Sequence, residues 1–129
     1  MSEARILIVE DNADLLAILK QLLSEEYEVE AVRRGEDAIT IARTFHPNVV
    51  LLDLHLPGID GIETGKWIKR ELGAENVAIL ALTALAGTAE EEAILSCGCC
   101  DPYMAKPASL MAIRAKVEEL LQFSANPTS

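Results

Sequence analysis

Residues 49–61 of the chain are Val49-Val50-Leu51-Leu52-Asp53-Leu54-His55-Leu56-Pro57-Gly58-Ile59-Asp60-Gly61. The first four are apolar without alternation, which is typical of a strand that is buried on both faces of a parallel sheet. Asp53 ends this run, and the proline and glycines that follow predict turns. Open α/β sheets bind their ligands at the carboxyl ends of central strands, so Asp53 is a candidate functional residue. Taken alone, an Asp in this position is more often a turn or capping residue.

The composition predicts one domain with an aliphatic core, because half of the 129 residues are hydrophobic and only 4% are aromatic. The formal net charge of −10 argues against direct binding to nucleic acid and suits a bound cation or a basic partner. No apolar run approaches the roughly 20 residues of a membrane span, and no secretion signal is visible. Three cysteines within residues 97–100 give no disulfide framework. We therefore expect a cytoplasmic protein without membrane insertion.

Short apolar runs alternate with amphipathic helical patterns along the chain. Strands are predicted at 6–9, 28–32, 49–53, 77–82 and 101–105, and helices at about 13–25, 38–45, 62–72, 88–97 and 110–121. This alternation predicts an α/β fold in which five helices cover both faces of a five-stranded parallel sheet. The domain is expected to span residues 1–123, and residues 124–129 to form a flexible tail.

The carboxyl ends of all strands in such a sheet meet at one rim. The sequence has Glu10 and Asp11 after the first strand, Asp53 at the end of the third, Thr83 after the fourth and Lys106 after the fifth. Three carboxylates repel one another, and a hard cation such as Mg²⁺ relieves the repulsion while leaving room for a phosphoryl oxygen. The ammonium and hydroxyl groups would stabilise charge on that phosphoryl group. The pattern suggests attack by Asp53 on phosphorus to give an aspartyl phosphate.

Each of these residues also has an ordinary structural interpretation. Glu10 and Asp11 could cap the first helix, Thr83 could be a turn hydroxyl, and Lys106 could be a solvated surface lysine. An acid pair, an Asp, a Thr and a Lys that each directly follow an apolar strand are much harder to produce by accident. The combination favours the functional interpretation.

Four segments together resemble the receiver domain of two-component response regulators. They are Ile8-Val9-Glu10-Asp11-Asn12, the stretch from Leu52 to Gly61 quoted above, Leu82-Thr83-Ala84 and Tyr103-Met104-Ala105-Lys106-Pro107. The resemblance runs from about residue 5 to residue 123. It implies a flavodoxin-like, doubly wound sheet of strand order 2-1-3-4-5.

The resemblance also implies a role for each residue of the rim. Asp53 would accept the phosphoryl group, and Lys106 would pair with it. Asp11, Asp53 and the backbone carbonyl of His55 would bind Mg²⁺ directly, while Glu10 would act largely through water.

The resemblance further implies a switch on the protein surface. Thr83 would move toward the phosphoryl oxygen, and Tyr103 would turn inward into the space that it leaves. This would change the face formed by the fourth predicted helix, the fifth strand and the fifth helix, where a downstream protein would bind. The alternative is that Tyr103 is an ordinary, partly buried aromatic residue.

We therefore expect a stand-alone receiver that takes its phosphoryl group from a sensor histidine kinase or a histidine phosphotransfer protein. It would be a signalling switch that catalyses only its own phosphorylation and dephosphorylation, not an enzyme of metabolism. If the chain is a fragment, it would instead be the receiver of a hybrid kinase or of a DNA-binding regulator. The alternative from another class is a Mg²⁺-dependent phosphatase with an aspartyl nucleophile, in which His55 would do the acid–base work.

Overall fold

A computed structural model describes residues 4–53, 61–73, 76–83, 103–105 and 109–124. For residues 83, 103–105, 123 and 124 the description is limited to the backbone. The strands are β1 (Arg5–Val9), β2 (Glu28–Val32), β3 (Val49–Asp53), β4 (Ala78–Thr83) and β5 (Tyr103–Ala105). The helices are α1 (Ala13–Ser24), α2 (Gly35–Phe45), α3 (Gly61–Leu72) and the C-terminal helix (Leu110–Ser124).

All strands pair in parallel, in the order β2-β1-β3-β4-β5. The predicted α/β architecture with a parallel sheet is confirmed. The most apolar strands, β1, β3 and β4, lie in the centre, where both of their faces are covered. The helix predicted at 88–97 lies outside the described residues.

Alternating side chains of the central strands divide the core into two layers. One layer packs against α2 and α3, and its fully buried strand residues are Leu7, Val9, Val50, Leu52, Ile79 and Ala81. The other packs against α1 and the C-terminal helix, and its strand residues are Ile6, Ile8, Val49, Leu51 and Leu80. Because successive strand residues point to opposite faces, a continuous apolar run supplies both layers.

Most elements begin and end within one residue of the prediction, but α2 begins at Gly35, three residues before its predicted start, and the C-terminal helix extends three residues past its predicted end. Gly73 forms the C-cap of α3, since it has φ +92° and its N–H donates to the carbonyl of Lys69 at 2.9 Å. The C-terminal helix ends at Ser124, one residue past the predicted end of the domain. Within the described parts of the chain, no helix has the length and apolarity to cross a bilayer.

Candidate functional site

The ends of β1 and β3 bring three carboxylates together. The two strands pair with Ile8 opposite Leu51 and Val9 opposite Leu52, so the next step of the register sets Glu10 opposite Asp53. One carboxylate oxygen each from Glu10, Asp11 and Asp53 lies within 4.8 Å of the other two. These are the three acids that the sequence suggested would meet at this rim.

Two of the three carboxylates are almost completely buried. Glu10 is 1% exposed and Asp53 is 3% exposed, whereas Asp11 is partly exposed. Both buried acids continue the strand alternation onto the face covered by α1 and the C-terminal helix. Carboxylates with so little access to water require compensation from hydrogen bonds or positive charge. The set contains only oxygen ligands, which suits a hard divalent cation such as Mg²⁺.

The loop between β1 and α1 is fixed by its own hydrogen bonds. The N–H of Glu10 donates to the carbonyl of Val32 at 3.1 Å, which ties the end of β1 to β2. One carboxylate oxygen of Glu10, Oε2, accepts from the N–H of Asn12 at 3.1 Å. The loop therefore fixes the Glu10 carboxylate in the acidic cluster at the carboxyl rim.

Asn12 caps α1. Its Oδ1 accepts from the N–H of Asp14 at 3.0 Å and from that of Leu15 at 3.1 Å. The side-chain cap that the capping interpretation assigned to Glu10 and Asp11 is therefore made by Asn12. Neither Glu10 nor Asp11 provides the side-chain cap of α1, and both lie at the carboxyl rim.

Arg33 is a residue of this region that sequence reasoning missed. Its guanidinium donates through Nε at 3.3 Å and through Nη2 at 2.9 Å to the backbone carbonyl of Asp11, 22 residues away in the chain. The available signal was its position, since it directly follows β2 and must therefore lie at the carboxyl rim. A groove of about 620 Å³ opens beside it, lined by Asp11, Ala31, Val32, Arg33, Arg34 and Asp37.

The other predicted site residues are described in part or not at all. Thr83 ends β4, one residue beyond Leu82, which is the register partner of Asp53. Tyr103 begins β5 opposite Ala81. The side chains of Thr83 and Tyr103, and the whole of His55 and Lys106, lie outside the description, so their roles stay predictions.

Comparison with known proteins identifies the family. Residues 6–118 match the family described as response regulator receiver domain. The chain belongs to this family. The resemblance noted from the sequence is therefore confirmed, and receiver domains are parts of two-component signalling systems.

Individual relatives agree with this assignment. The polar-differentiation response regulator DivK of Brucella ovis is 35% identical over 106 residues, which are 81% of this chain and 85% of the relative. A CheY-like receiver domain protein from Methanospirillum hungatei JF-1 superposes with a TM-score of 0.85 at 27% identity, covering 96% of this chain and 98% of that one. The receiver domain of a signal transduction histidine kinase from Syntrophus aciditrophicus gives 0.83 at 29% identity, covering 92% and 90%. The chain has the flavodoxin-like receiver fold.

Proposed function

We propose that this receiver domain is a Mg²⁺-dependent phosphoacceptor in which Asp53 takes a phosphoryl group from the phosphohistidine of a partner protein. The observation that carries the proposal is the convergence of three carboxylates within 4.8 Å at the end of a buried central strand. A structural neighbour belongs to a signal transduction histidine kinase, which agrees with a histidine kinase or a histidine phosphotransfer protein as the donor. We expect the protein to work as a cytoplasmic signalling switch.

The acids at the rim would serve as metal ligands, and one of them, Asp53, would also be the nucleophile. Asp11, Asp53 and the backbone carbonyl of His55 would hold Mg²⁺, with Glu10 acting largely through water. The bound cation supplies positive charge that neutralises the acids and the phosphoryl oxygens. The N–H of Asn12 at 3.1 Å holds the Glu10 carboxylate at the site.

The transfer forms one bond and breaks one bond. A carboxylate oxygen of Asp53 attacks phosphorus, the P–N bond of the phosphohistidine breaks, and its electron pair stays on the imidazole of the donor. Lys106 would pair with the negative charge on the phosphoryl oxygens. The nucleophile is the carboxylate form of Asp53, which has no proton to lose, so the attack requires no separate base. Hydrolysis of the aspartyl phosphate by water would return the protein to its starting state.

The signal would pass from the rim to a protein-binding face. Thr83 would move toward the phosphoryl oxygen and Tyr103 would turn inward, which changes the face formed by a helix within 88–97, β5 and the C-terminal helix. The strand register supports this route, because β5 pairs with β4 just beside the end of β3. With that helix, the sheet would have the five flanking helices of the complete fold. A downstream protein would bind the altered face.

Intact mass measurement tests the chemistry directly. The protein is incubated with an acyl phosphate and Mg²⁺, beside Asp53→Asn and beside Asp14→Asn, which removes an exposed carboxylate from the first turn of α1. We expect wild type and Asp14→Asn to gain one phosphoryl group and Asp53→Asn to gain none. Removal of Mg²⁺ by a chelator should abolish the gain.

Other outcomes would overturn the proposal. A gain that persists in Asp53→Asn would assign the phosphoryl group to another residue. No gain by wild type, with steady hydrolysis of the acyl phosphate, would favour the aspartyl-nucleophile phosphatase. Neither gain nor hydrolysis, together with no transfer from a phosphorylated histidine phosphotransfer protein, would show a receiver fold without phosphoacceptor activity.

A further inference from the structure

Two arginines follow β2, and they make different contacts. Arg33 donates from Nε and Nη2 to the backbone carbonyl of Asp11, at 3.3 and 2.9 Å. Arg34 lines the same groove, and its Nε lies 3.6 Å from a carboxylate oxygen of Glu36. The chain therefore provides two neighbouring cations at the carboxyl rim, with the direct contact to the acidic loop made by Arg33.

Arg33 contacts the peptide group between Asp11 and Asn12, whose N–H is already held by another contact of the loop. On the amino side of Asp11, the N–H of Glu10 is bound to β2. On the carboxyl side, the peptide between Asp11 and Asn12 carries an N–H that donates to the Glu10 carboxylate. The carbonyl of that same peptide is the acceptor for Arg33. Arg33 and Glu10 thus hold the two ends of one peptide plane.

The orientation of this plane restricts where the Asp11 side chain can point, because the backbone dihedral angles limit the allowed χ1 rotamers. The direction of a side chain from its backbone follows from the dihedral angles on either side of its Cα, and ψ of Asp11 sets this peptide plane. A metal ligand that is misdirected by a fraction of an ångström loses affinity, and groups that orient ligands are therefore important to a metal site. A two-nitrogen contact from a planar guanidinium is suited to hold such a plane.

We propose that Arg33 is a positioning residue that holds the Asp11 backbone so that the Asp11 carboxylate is directed at the Mg²⁺ site. The proposal rests on the function proposed above and deepens it. It assigns a supporting role in Mg²⁺ binding to Arg33, whose positive charge by itself would oppose the binding of a cation.

The charge of Arg33 and its proposed positioning role predict opposite effects on Mg²⁺ affinity when Arg33 is removed, which makes the proposal testable. A guanidinium near the site repels Mg²⁺, so removing its charge should strengthen binding if electrostatics alone operates. If Arg33 positions Asp11, removing it should weaken binding instead. Arg34→Met removes the same charge from the next residue and leaves the Asp11 carbonyl contact intact, which makes it the matched control.

The first measurement is the dissociation constant for Mg²⁺ by isothermal titration calorimetry on wild type, Arg33→Met, Arg33→Lys and Arg34→Met. We expect Arg33→Met to bind about tenfold more weakly, the low end for a group that orients a metal ligand, because Arg33 is exposed. Arg33→Lys keeps the charge but loses the planar two-nitrogen contact, so it should also bind more weakly than wild type. Arg34→Met should bind as tightly as wild type or more tightly.

A second measurement needs no metal. Hydrogen exchange of the Asn12 amide should accelerate in metal-free Arg33→Met, because that amide belongs to the peptide that Arg33 holds. It should be unchanged in Arg34→Met. Thermal unfolding of each variant verifies that the fold is intact.

The outcomes separate the inference from the function on which it rests. If wild type binds no Mg²⁺, both the proposed function and the role of Arg33 are overturned. If wild type binds Mg²⁺ and Arg33→Met binds it equally well or more tightly, only the positioning role is overturned. Unchanged exchange of the Asn12 amide in Arg33→Met would also overturn it.

Discussion

The two rims of the sheet are both polar, but their groups are combined differently. At the amino rim, Oδ1 of Asn48 accepts from the N–H of Arg5 at 2.8 Å, and the N–H of Asn48 donates to the carbonyl of Arg5 at 2.8 Å. The Nε of Arg5 donates to the carbonyl of His46 at 3.0 Å. Donors and acceptors at this rim match, so the strands are joined where they begin.

The carboxyl rim brings together groups that cannot satisfy one another. Ionised Glu10, Asp11 and Asp53 are all hydrogen-bond acceptors, and they carry the same charge. Within 4.8 Å these like charges repel one another, and a bound cation would relieve the repulsion. Polar residues at strand ends that pair as donor and acceptor therefore indicate a structural role. Acceptors of like charge gathered at strand ends indicate a binding site.

The largest effect expected from this difference is on phosphorylation. Asp53→Asn should reduce phosphoryl incorporation from an acyl phosphate to background, since the nucleophile is removed. Asn48→Ala, at the opposite rim, should leave the rate of incorporation at the wild-type value. Intact mass against time for the two variants makes the measurement, and slowed incorporation in Asn48→Ala would show that the two rims are not independent.

The second effect concerns Mg²⁺ and stability. A cation at 100 times its dissociation constant should raise the free energy of unfolding of wild type by about 2.7 kcal/mol, because it binds only the folded state. Asp11→Asn should lose most of this increment, and without Mg²⁺ it should be at least as stable as wild type because a repulsive charge is gone. Denaturant unfolding with and without Mg²⁺ measures both, with Asn48→Ala as the control that keeps the increment.

An equal Mg²⁺ increment in wild type and Asp11→Asn would contradict this prediction. It would mean that the cation stabilises the protein from a site that does not include the Asp11 carboxylate.

The acidic cluster was accessible from sequence because its position depends on strands alone. Uninterrupted apolar runs identify central parallel strands, and parallel strands must end at the same rim. Asp53 could therefore be associated with Glu10 and Asp11 across about forty residues without knowledge of any loop. The family resemblance then added roles that strand order cannot provide.

The supporting contacts were not accessible in this way. Asn12 is as plausible a cap as Asp11, and the choice between them depends on the backbone angles of the loop. Arg33 reaches Asp11 only because the β1–α1 loop turns one carbonyl toward β2. His46 has φ 53°, although glycine is the usual residue in that conformation. Such details follow from tertiary geometry and leave no periodic pattern in the sequence.

The third expected effect is a loss of stability when a hydrogen bond of the amino rim is removed. Asn48→Ala removes the Oδ1 acceptor of the partly buried Arg5 N–H and should lower the free energy of unfolding by about 1–2 kcal/mol. Asn48→Asp keeps an acceptor at the same position and should cost less. Urea unfolding of the three proteins makes the comparison, and equal losses in both variants would show that this hydrogen bond does not contribute.

The smallest effect expected is at His46, which ends α2 in the left-handed conformation at φ 53°. The left-handed conformation raises the free energy of a residue with a Cβ by roughly 1 kcal/mol, and it does not do so for glycine. The hydrogen bonds at this position use backbone atoms, namely the N–H to the carbonyl of Ala42 and the carbonyl from Arg5 Nε, so they survive substitution.

His46→Gly should therefore raise the free energy of unfolding by about 0.5–1 kcal/mol, even though glycine gives the unfolded chain more freedom. His46→Val should lower it, because a β-branched side chain tolerates the left-handed region worst. Urea unfolding measures both changes, and the Mg²⁺ increment should be the same in both variants. Destabilisation by glycine would mean that unfolded-state entropy outweighs backbone strain here, and a changed Mg²⁺ increment would mean that strain at the amino rim reaches the acids at the other end of the sheet.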